Sequence, residues 1–234
     1  MPYQLVSIVL PVHNQADHVE SVVLAYVAAL SEHLPLKFEI VLVTNACSDR
    51  SPEIAAEMAQ KFTGVKTVST ERGGWGLSVK LGLRNSEGDL LCYTNSARTS
   101  PEILVKAIEY AIANPNTVVK ANRKIRESWQ RRLGSLIYNL ECRAFFDLPT
   151  WDINGTPKLF PRSFAALLKL TRDDDLIDAE FNAICRRAPY PVLEMPVVST
   201  KRHGGASTTN YKSAVRMYWG AYELWRRMPH KVGP

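Results

Sequence analysis

The sequence predicts an α/β protein with a Rossmann-like central sheet, mostly parallel and flanked by helices. Three observations predict it. Short apolar runs alternate with amphipathic stretches of helical period through the first half of the chain. Leu5–Pro11, Phe38–Val43 and Leu90–Tyr93 are continuous rather than alternating in character, as expected of strands covered on both faces. The connections between strand and helix are short, which is the pattern of helices wound over a parallel sheet.

The elements follow in order. Leu5–Pro11 reads as the first strand. In 16–30 the apolar residues Val19, Val22, Val23, Tyr26, Val27 and Leu30 share one helical face. Phe38–Val43 is the second strand. Ser51-Pro52-Glu53 starts a helix with proline in its first turn, where the missing N–H costs nothing. That helix runs on through Ala55, Ala56, Met58, Ala59 and Phe62. Val65–Val68 is a short strand, and the turn Gly73-Gly74-Trp75-Gly76 opens a helix to Leu83. Leu90–Tyr93 is the fourth strand, followed by a helix over Pro101–Ala113. The second half is less regular. Strands are expected at Val118–Ala121, Lys158–Phe160 and Leu193–Val198, and helices at Gln130–Phe146, Ala179–Arg187 and Ser213–Met228. No repeat or low-complexity linker divides the chain. The reading is one domain over 1–212, in two halves (1–122 and 123–212), then a C-terminal amphipathic helix and tail (213–234).

Composition narrows the function classes. The 234 residues are 46% hydrophobic and 22% charged, ordinary values for a globular protein. The longest apolar run, Val22–Leu30, is nine residues, against about 20 needed to cross a bilayer. Met1-Pro2-Tyr3-Gln4 carries no basic leader and no long apolar region follows, so a cytoplasmic location is expected. Four scattered cysteines form neither a disulfide framework nor a CxxC metal pair. The net charge of +6 points to an anionic partner: nucleotide phosphates, nucleic acid or an anionic membrane surface. No nucleic-acid motif accompanies the basic clusters, so nucleic acid is set aside.

The chemistry sits in polar segments after the strands. In order these are Ser7-Ile8-Val9-Leu10-Pro11-Val12-His13-Asn14-Gln15, Glu39–Asp49, Gly74-Trp75-Gly76 through Gly82, Gly88-Asp89 to Glu102, Gly155–Phe160 and Arg202–Ser207. Together they resemble the motifs of family 2 glycosyltransferases, within them the polyprenyl-phosphate (dolichyl-phosphate-mannose synthase-like) branch. The resemblance covers nearly the whole chain. It implies the nucleotide-diphospho-sugar transferase fold of type A glycosyltransferases, one catalytic domain with 1–122 as the nucleotide-sugar-binding half and 123–212 as the acceptor-side half. It also implies an inverting transfer of a sugar from a nucleotide-diphosphate donor to a polyprenyl phosphate or another membrane-associated acceptor. Mapped residue by residue, it assigns nucleotide-sugar contacts to Pro11, Val12, Asn14, Gln15, Asn45, Asp49, Gly74, Gly76, Thr94, Asn95, Ser96, Arg202 and Ser207.

The departures are as informative. The acidic pair that helps hold base and ribose in the family falls on Thr44 and Asn45, and the family's glutamate after Asn14 is Gln15. The metal-binding D-x-D falls on Thr94-Asn95-Ser96. Neutral oxygens hold a hard divalent cation poorly, so no metal ligand is assigned and no cofactor is required, with Mg²⁺ or Mn²⁺ left as the family's alternative. A guanidinium can take over charge stabilisation on a leaving diphosphate. Arg98, Arg123, Lys158 and Arg202 are candidates for it, with Arg98 placed by position at the strand tip. Asp178 and Asp152 are candidates for a general base or an orienting group. An acidic run before a helix is otherwise a solvated first turn that complements the helix dipole.

Two function classes stand side by side: the glycosyltransferase, and a non-catalytic nucleotide-sugar-binding relative acting as a binding or scaffold protein. In Ser213–Met228, Val215, Tyr218, Tyr222 and Trp225 form an apolar-aromatic stripe beside Arg216, Arg226 and Arg227. Such a helix suits peripheral attachment to the inner face of a membrane, or equally packing on the protein's own core or on a second copy in a homo-oligomer.

Overall fold

The computed structural model describes residues 1–125, 129–198 and 211–228, and of these the side chains of all but 124, 125, 129–133 and 211–215. Strands are β1 (Leu5–Val12), β2 (Lys37–Asn45), β3 (Val65–Thr70), β4 (Leu90–Tyr93), β5 (Val118–Ile125), β6 (Lys158–Pro161) and β7 (Val192–Val198). Helices are α1 (Val19–His33), α2 (Ser51–Lys61), α3 (Trp75–Arg84), α4 (Pro101–Ala113), α5 (Trp129–Phe146), α6 (Ile177–Arg187) and α7 (Tyr211–Arg227), with a 3-10 turn at Ala165–Lys169 that periodicity does not reveal.

The described strands form one seven-stranded sheet in the order β3-β2-β1-β4-β6-β5-β7. β1 pairs parallel with β2 and β4, β2 with β3, and β5 with β7, whereas β6 runs antiparallel to both β4 and β5. The sheet is thus mostly parallel, as the apolar runs imply. Period-two alternation sorts the side chains. Val6, Ile8, Leu10 and Val12 of β1 pack with α1, α2 and α4 on one face, while Val9, with Val41 and Val43 of β2, packs with α3 and α6 on the other. Gly82 lets α3 lie close to the sheet: a Cβ there would sit 2.2 Å from Val9 Cγ1. A third cluster joins α5, α6 and α7 through Tyr138, Cys142, Leu176, Ala221 and Leu224.

This topology places the site. β1 lies between β2 and β4: the chain runs outward from β1 through β2 to β3, then returns past β1 to β4, so the strand order reverses between β1 and β4, with α1 and α4 on the same face. In open α/β sheets ligands lodge at such a switch point, outside the carboxyl ends of the strands. The segments His13–Gln15, Ala46–Asp49 and Thr94–Ser100 converge there.

Candidate active site at the strand tips

The tips of β1, β2 and β4 are joined by neutral hydrogen bonds. At β2, Thr44 and Asn45 are buried. Thr44 Oγ1 meets Ser69 Oγ at 2.9 Å. Asn45 Nδ2 donates to the Val12 carbonyl at 2.8 Å, and its Oδ1 accepts the Gly74 N–H at 3.3 Å. One side chain therefore braces β1 to β2 and holds the turn before α3. At the end of β1, Pro11 and Val12 are buried and contribute backbone and packing rather than side-chain chemistry. Asn14, at φ +50°, accepts the Ser48 N–H at 2.7 Å. Asp49 accepts from Ala16 N at 2.9 Å and Ser51 N at 3.0 Å, stitching the loops that open α1 and α2. Partial burial works against its carboxylate, but the bonds from Ser51 and Ala16 outweigh this and hold it below the usual range.

The tip of β4 is built in the same way. Thr94 Oγ1 meets Thr99 Oγ1 at 2.7 Å, Asn95 Oδ1 accepts the Ala97 N–H at 2.9 Å, and Ser96 Oγ donates to Gln15 Oε1 at 2.6 Å. Ser100 caps α4 by accepting the Ile103 N–H, with Pro101 in the first turn. Arg98 is half-buried on this loop, its N–H donating to the Asn95 carbonyl. Thr94 and Ser96 are almost fully buried and already hydrogen-bonded. Among the described residues no three His, Cys, Asp or Glu side chains gather at a common point. The donor set at this tip does not fit a divalent cation, which prefers carboxylate oxygens.

Gly74 and Gly76 have a clear steric role. Gly74 sits at φ +152°, and a Cβ on it would lie 2.5 Å from the Asp173 carbonyl oxygen; one on Gly76 would lie 2.5 Å from that of Arg172. The 172–174 backbone fills the N-terminal turn of α3, where Leu77 N donates to the Asp173 carbonyl at 2.9 Å. Lys80 at 2.7 Å and Arg72 at 3.0 Å hold the Asp173 carboxylate.

Across β4 the chemistry changes to buried charge. Lys158, fully buried, contacts Asp178 Oδ1 at 2.5 Å, and Tyr93 OH donates to the same oxygen at 2.9 Å. Arg123 grips Asp152 in a fork, Nε to Oδ2 at 2.7 Å and Nη2 to Oδ1 at 2.8 Å, while its backbone N–H adds a third bond at 3.0 Å. Lys120, also fully buried, reaches Asn182 Oδ1 at 3.0 Å and Glu194 Oε1 at 3.2 Å. Burial, with the nearby Lys158 charge, pushes the Lys120 ammonium down to about 8. Burial also lowers Lys158, against the pull of Asp178. For Arg123, burial is outweighed by Asp152, which keeps the guanidinium above its usual value.

Two of the four cations considered for the diphosphate, Arg123 and Lys158, are thus engaged by the two candidate bases, Asp152 and Asp178. Arg202 and Ser207 lie outside the described residues. Sequence reading missed Lys120, Tyr93, Asn182 and Glu194. A signal existed for the first: Lys120 sits within Val118-Val119-Lys120-Ala121, a charge in a strand otherwise apolar. Glu180, in the acidic run, accepts from Thr171 N, Thr171 Oγ1 and Arg172 N and serves the loop that enters α3's turn.

The predicted stripe of α7 packs inward where it is described. Tyr218 meets Tyr138 edge-on and donates to the Gly134 carbonyl at 2.7 Å, and Trp225 stacks on Phe145. The Val215 side chain lies outside the description. Exposed instead are Leu136, Ile137 and Leu140 of α5 and Trp219 of α7. No described helix is long and apolar enough to cross a membrane.

Comparison with known proteins agrees with the fold and identifies the family. The family described as "Glycosyl transferase family 2" matches residues 7–169. An undecaprenyl-phosphate 4-deoxy-4-formamido-L-arabinose transferase of Edwardsiella ictaluri is 27% identical over 208 residues, covering 87% of this chain and 62% of its own. The glycosyltransferase AglD of Haloferax volcanii is 30% identical over 208 residues, covering 82% of this chain and 32% of its own. The chain therefore spans less than two thirds of the length of these relatives. Glucosyl-3-phosphoglycerate synthase of Mycobacterium tuberculosis, solved with Mn²⁺, UDP and glucosyl-3-phosphoglycerate, superposes with a TM-score of 0.72 at 14% identity, over 97% of this chain and 82% of that one. At that identity the likeness concerns the fold, which is the type A glycosyltransferase fold expected from the sequence.

Proposed function

We propose, from the premise that the chain belongs to glycosyl transferase family 2, that it transfers a sugar from a nucleoside-diphosphate donor to a polyprenyl-phosphate acceptor with inversion. The donor lies across the tips of β1, β2 and β4, held by Asn14, Gln15, Asp49 and the loop 94–96. The acceptor oxygen attacks the anomeric carbon from the β5–β6–β7 side, and the bond to the diphosphate breaks on the opposite face.

The observation that carries the acceptor class is the pairing of both candidate bases. A hydroxyl acceptor must give up its proton to a base. Asp152 and Asp178 are each engaged by a cation of the chain, Arg123 and Lys158, so neither is poised as a base toward an acceptor hydroxyl. An ionised phosphate acceptor has no proton to give, and needs none taken. In this reading Asp152 and Asp178 orient the acceptor side.

Charge growing on the leaving diphosphate is met by cations of the chain, Arg98 at the β4 tip and Arg202 in the 201–207 segment, instead of a metal. The names of the relatives support the lipid-phosphate acceptor. A second observation, the exposed Leu136, Ile137, Leu140 and Trp219, supports peripheral seating on an anionic membrane surface. No observation favours the non-catalytic scaffold.

Incubation with radiolabelled nucleotide sugars and short polyprenyl phosphate in chelator tests the proposal. Labelled lipid is the expected outcome. Strict dependence on Mg²⁺ or Mn²⁺ would overturn the metal-free reading. Transfer to a polyprenol alcohol but not to its phosphate would overturn the acceptor assignment.

A further inference from the structure

We infer that His13 is the side chain that reads the nucleobase, through a lone pair on Nε2 facing a ring N–H. This inference rests on the nucleotide-donor reading above. His13 is exposed immediately beyond β1, and its Nδ1 lies 2.7 Å from the Asn45 carbonyl oxygen at the tip of β2. A carbonyl oxygen only accepts, so Nδ1 carries the proton. In the neutral ring Nε2 is then an acceptor, on the ring edge away from Asn45. The bond fixes both the tautomer and the direction of the ring.

A census of acceptors at these tips isolates that atom. The amide and carboxylate oxygens nearby already accept internal donors: Asn14 from Ser48, Gln15 from Ser96, Asn45 from Gly74, Asp49 from Ala16 and Ser51, Asn95 from Ala97. Among the described side chains at the tips of β1, β2 and β4, His13 Nε2 is the strong acceptor with no internal donor assigned to it. It sits at the end of β1, on the β2 side of the β1/β4 switch point. In the donor reading, a nucleotide whose diphosphate lies at that point extends its base toward the β1 and β2 tips.

The chemistry of the bases then discriminates. Uracil and guanine present a ring N–H at the centre of the Watson–Crick edge, whereas cytosine and adenine present a ring lone pair there. A fixed acceptor favours the first pair and repels the second. An acceptor left facing no donor costs affinity in the same sense.

The test is calorimetric titration of the full chain with UDP, GDP, CDP and ADP, and with 3-methyl-UDP and 1-methyl-GDP, in which the ring N–H is replaced. The expected result is that UDP or GDP binds at least about fivefold tighter than CDP, ADP and its own methylated form, the size of one neutral hydrogen bond. His13→Phe, which keeps an aromatic face but no acceptor, should remove that preference and leave CDP and ADP affinities unchanged. His13→Gln, with an acceptor oxygen, should restore part of it. Equal binding of UDP and 3-methyl-UDP, or of GDP and 1-methyl-GDP, by the parent protein overturns the inference and leaves the donor reading intact. A His13→Phe protein that keeps the preference overturns it too. Binding of none of the diphosphates overturns the donor reading itself.

Discussion

The two sides of β4 solve the problem of buried polarity in opposite ways. Toward β1 and β2 the strand tips are held by neutral hydrogen bonds among Thr44, Asn45, Asn14, Gln15, Thr94 and Ser96. Toward β5, β6 and β7 the same depth of the molecule holds Lys120, Arg123 and Lys158 against Glu194, Asp152 and Asp178. A neutral network loses one modest bond when a member is removed. A charged network loses the compensation of a buried ion, which is far more costly. The β1–β2 side should therefore tolerate substitution better than the β5–β7 side. Side chains most often associated with catalysis, carboxylates and ammonium groups, are here the ones most bound to the architecture.

The sharpest way to break this comparison is at Lys158. Lys158→Met leaves Asp178 buried with only Tyr93 as partner, and should cost about 3–5 kcal/mol of stability in urea unfolding. The double variant Lys158→Met/Asp178→Asn should recover much of the loss. If the double variant were as unstable as the single one, the penalty would lie in packing and the charge argument would fail.

Lys120 gives a pH signature next in size. Its folded-state value is about 8, against 10.5 for an unburied lysine. Between those values the unfolded chain holds a proton that the folded chain has released, so this group makes stability rise with pH across the window. Below about 8 both states are protonated and the burial penalty is present in full. Subtracting the unfolding profile of Lys120→Met from that of the parent should reveal the rise between pH 8 and 10.5. A flat difference profile would show that the ammonium is not desolvated in solution.

On the neutral side the effects shrink. Asn45→Ala removes two bonds and should cost about 1–3 kcal/mol, while Ser96→Ala, which frees Gln15, should cost about 1 kcal/mol. Both proteins should still melt cooperatively in calorimetry. A loss of more than about 4 kcal/mol from Ser96→Ala would make the β1–β2 side as intolerant as the β5–β7 side, beyond the usual range for one hydrogen bond.

The smallest expected effect is that of chelator. With neutral oxygens at the β4 tip, nucleoside-diphosphate affinity should change less than about twofold on adding EDTA, a difference of about 0.4 kcal/mol. A tenfold loss would require a cation held by groups other than Thr94, Asn95 and Ser96.

Much of this was readable in the residues, and the division follows physics. Strands β1, β2 and β4 are legible because strands covered on both faces are apolar throughout, and Pro101-Glu102 marks the start of α4 by its backbone chemistry. The antiparallel course of β6 is not legible, because direction depends on the path of the crossover and not on Lys158-Leu159-Phe160-Pro161. The position of the site was legible from the order of polar segments after strands. The use of each side chain was not. Asn45 and Asp49 look alike in sequence as exposed polar residues after a strand, yet one is buried as a brace and the other stitches two loops. Hydrogen-bond satisfaction is a property of several segments brought together. The aromatic stripe of α7 had two readings of equal standing in the sequence, and only the position of Tyr138 and Phe145 decides that Tyr218 and Trp225 face inward.

The insertion of β6 between β4 and β5 bears on how the chain is made. As it emerges from a ribosome, β1 to β4 can assemble in sequence, each strand finding its neighbour already present. The outer edge of β4 then stays open, with Leu90–Tyr93 offering unpaired backbone, until Lys158–Pro161 has been synthesised and can slot in. β5, though made earlier, joins the sheet only through β6, and β7 adds outside it. A nascent chain halted after α4 presents a ready template for another strand, and chaperone demand during translation should peak in that interval.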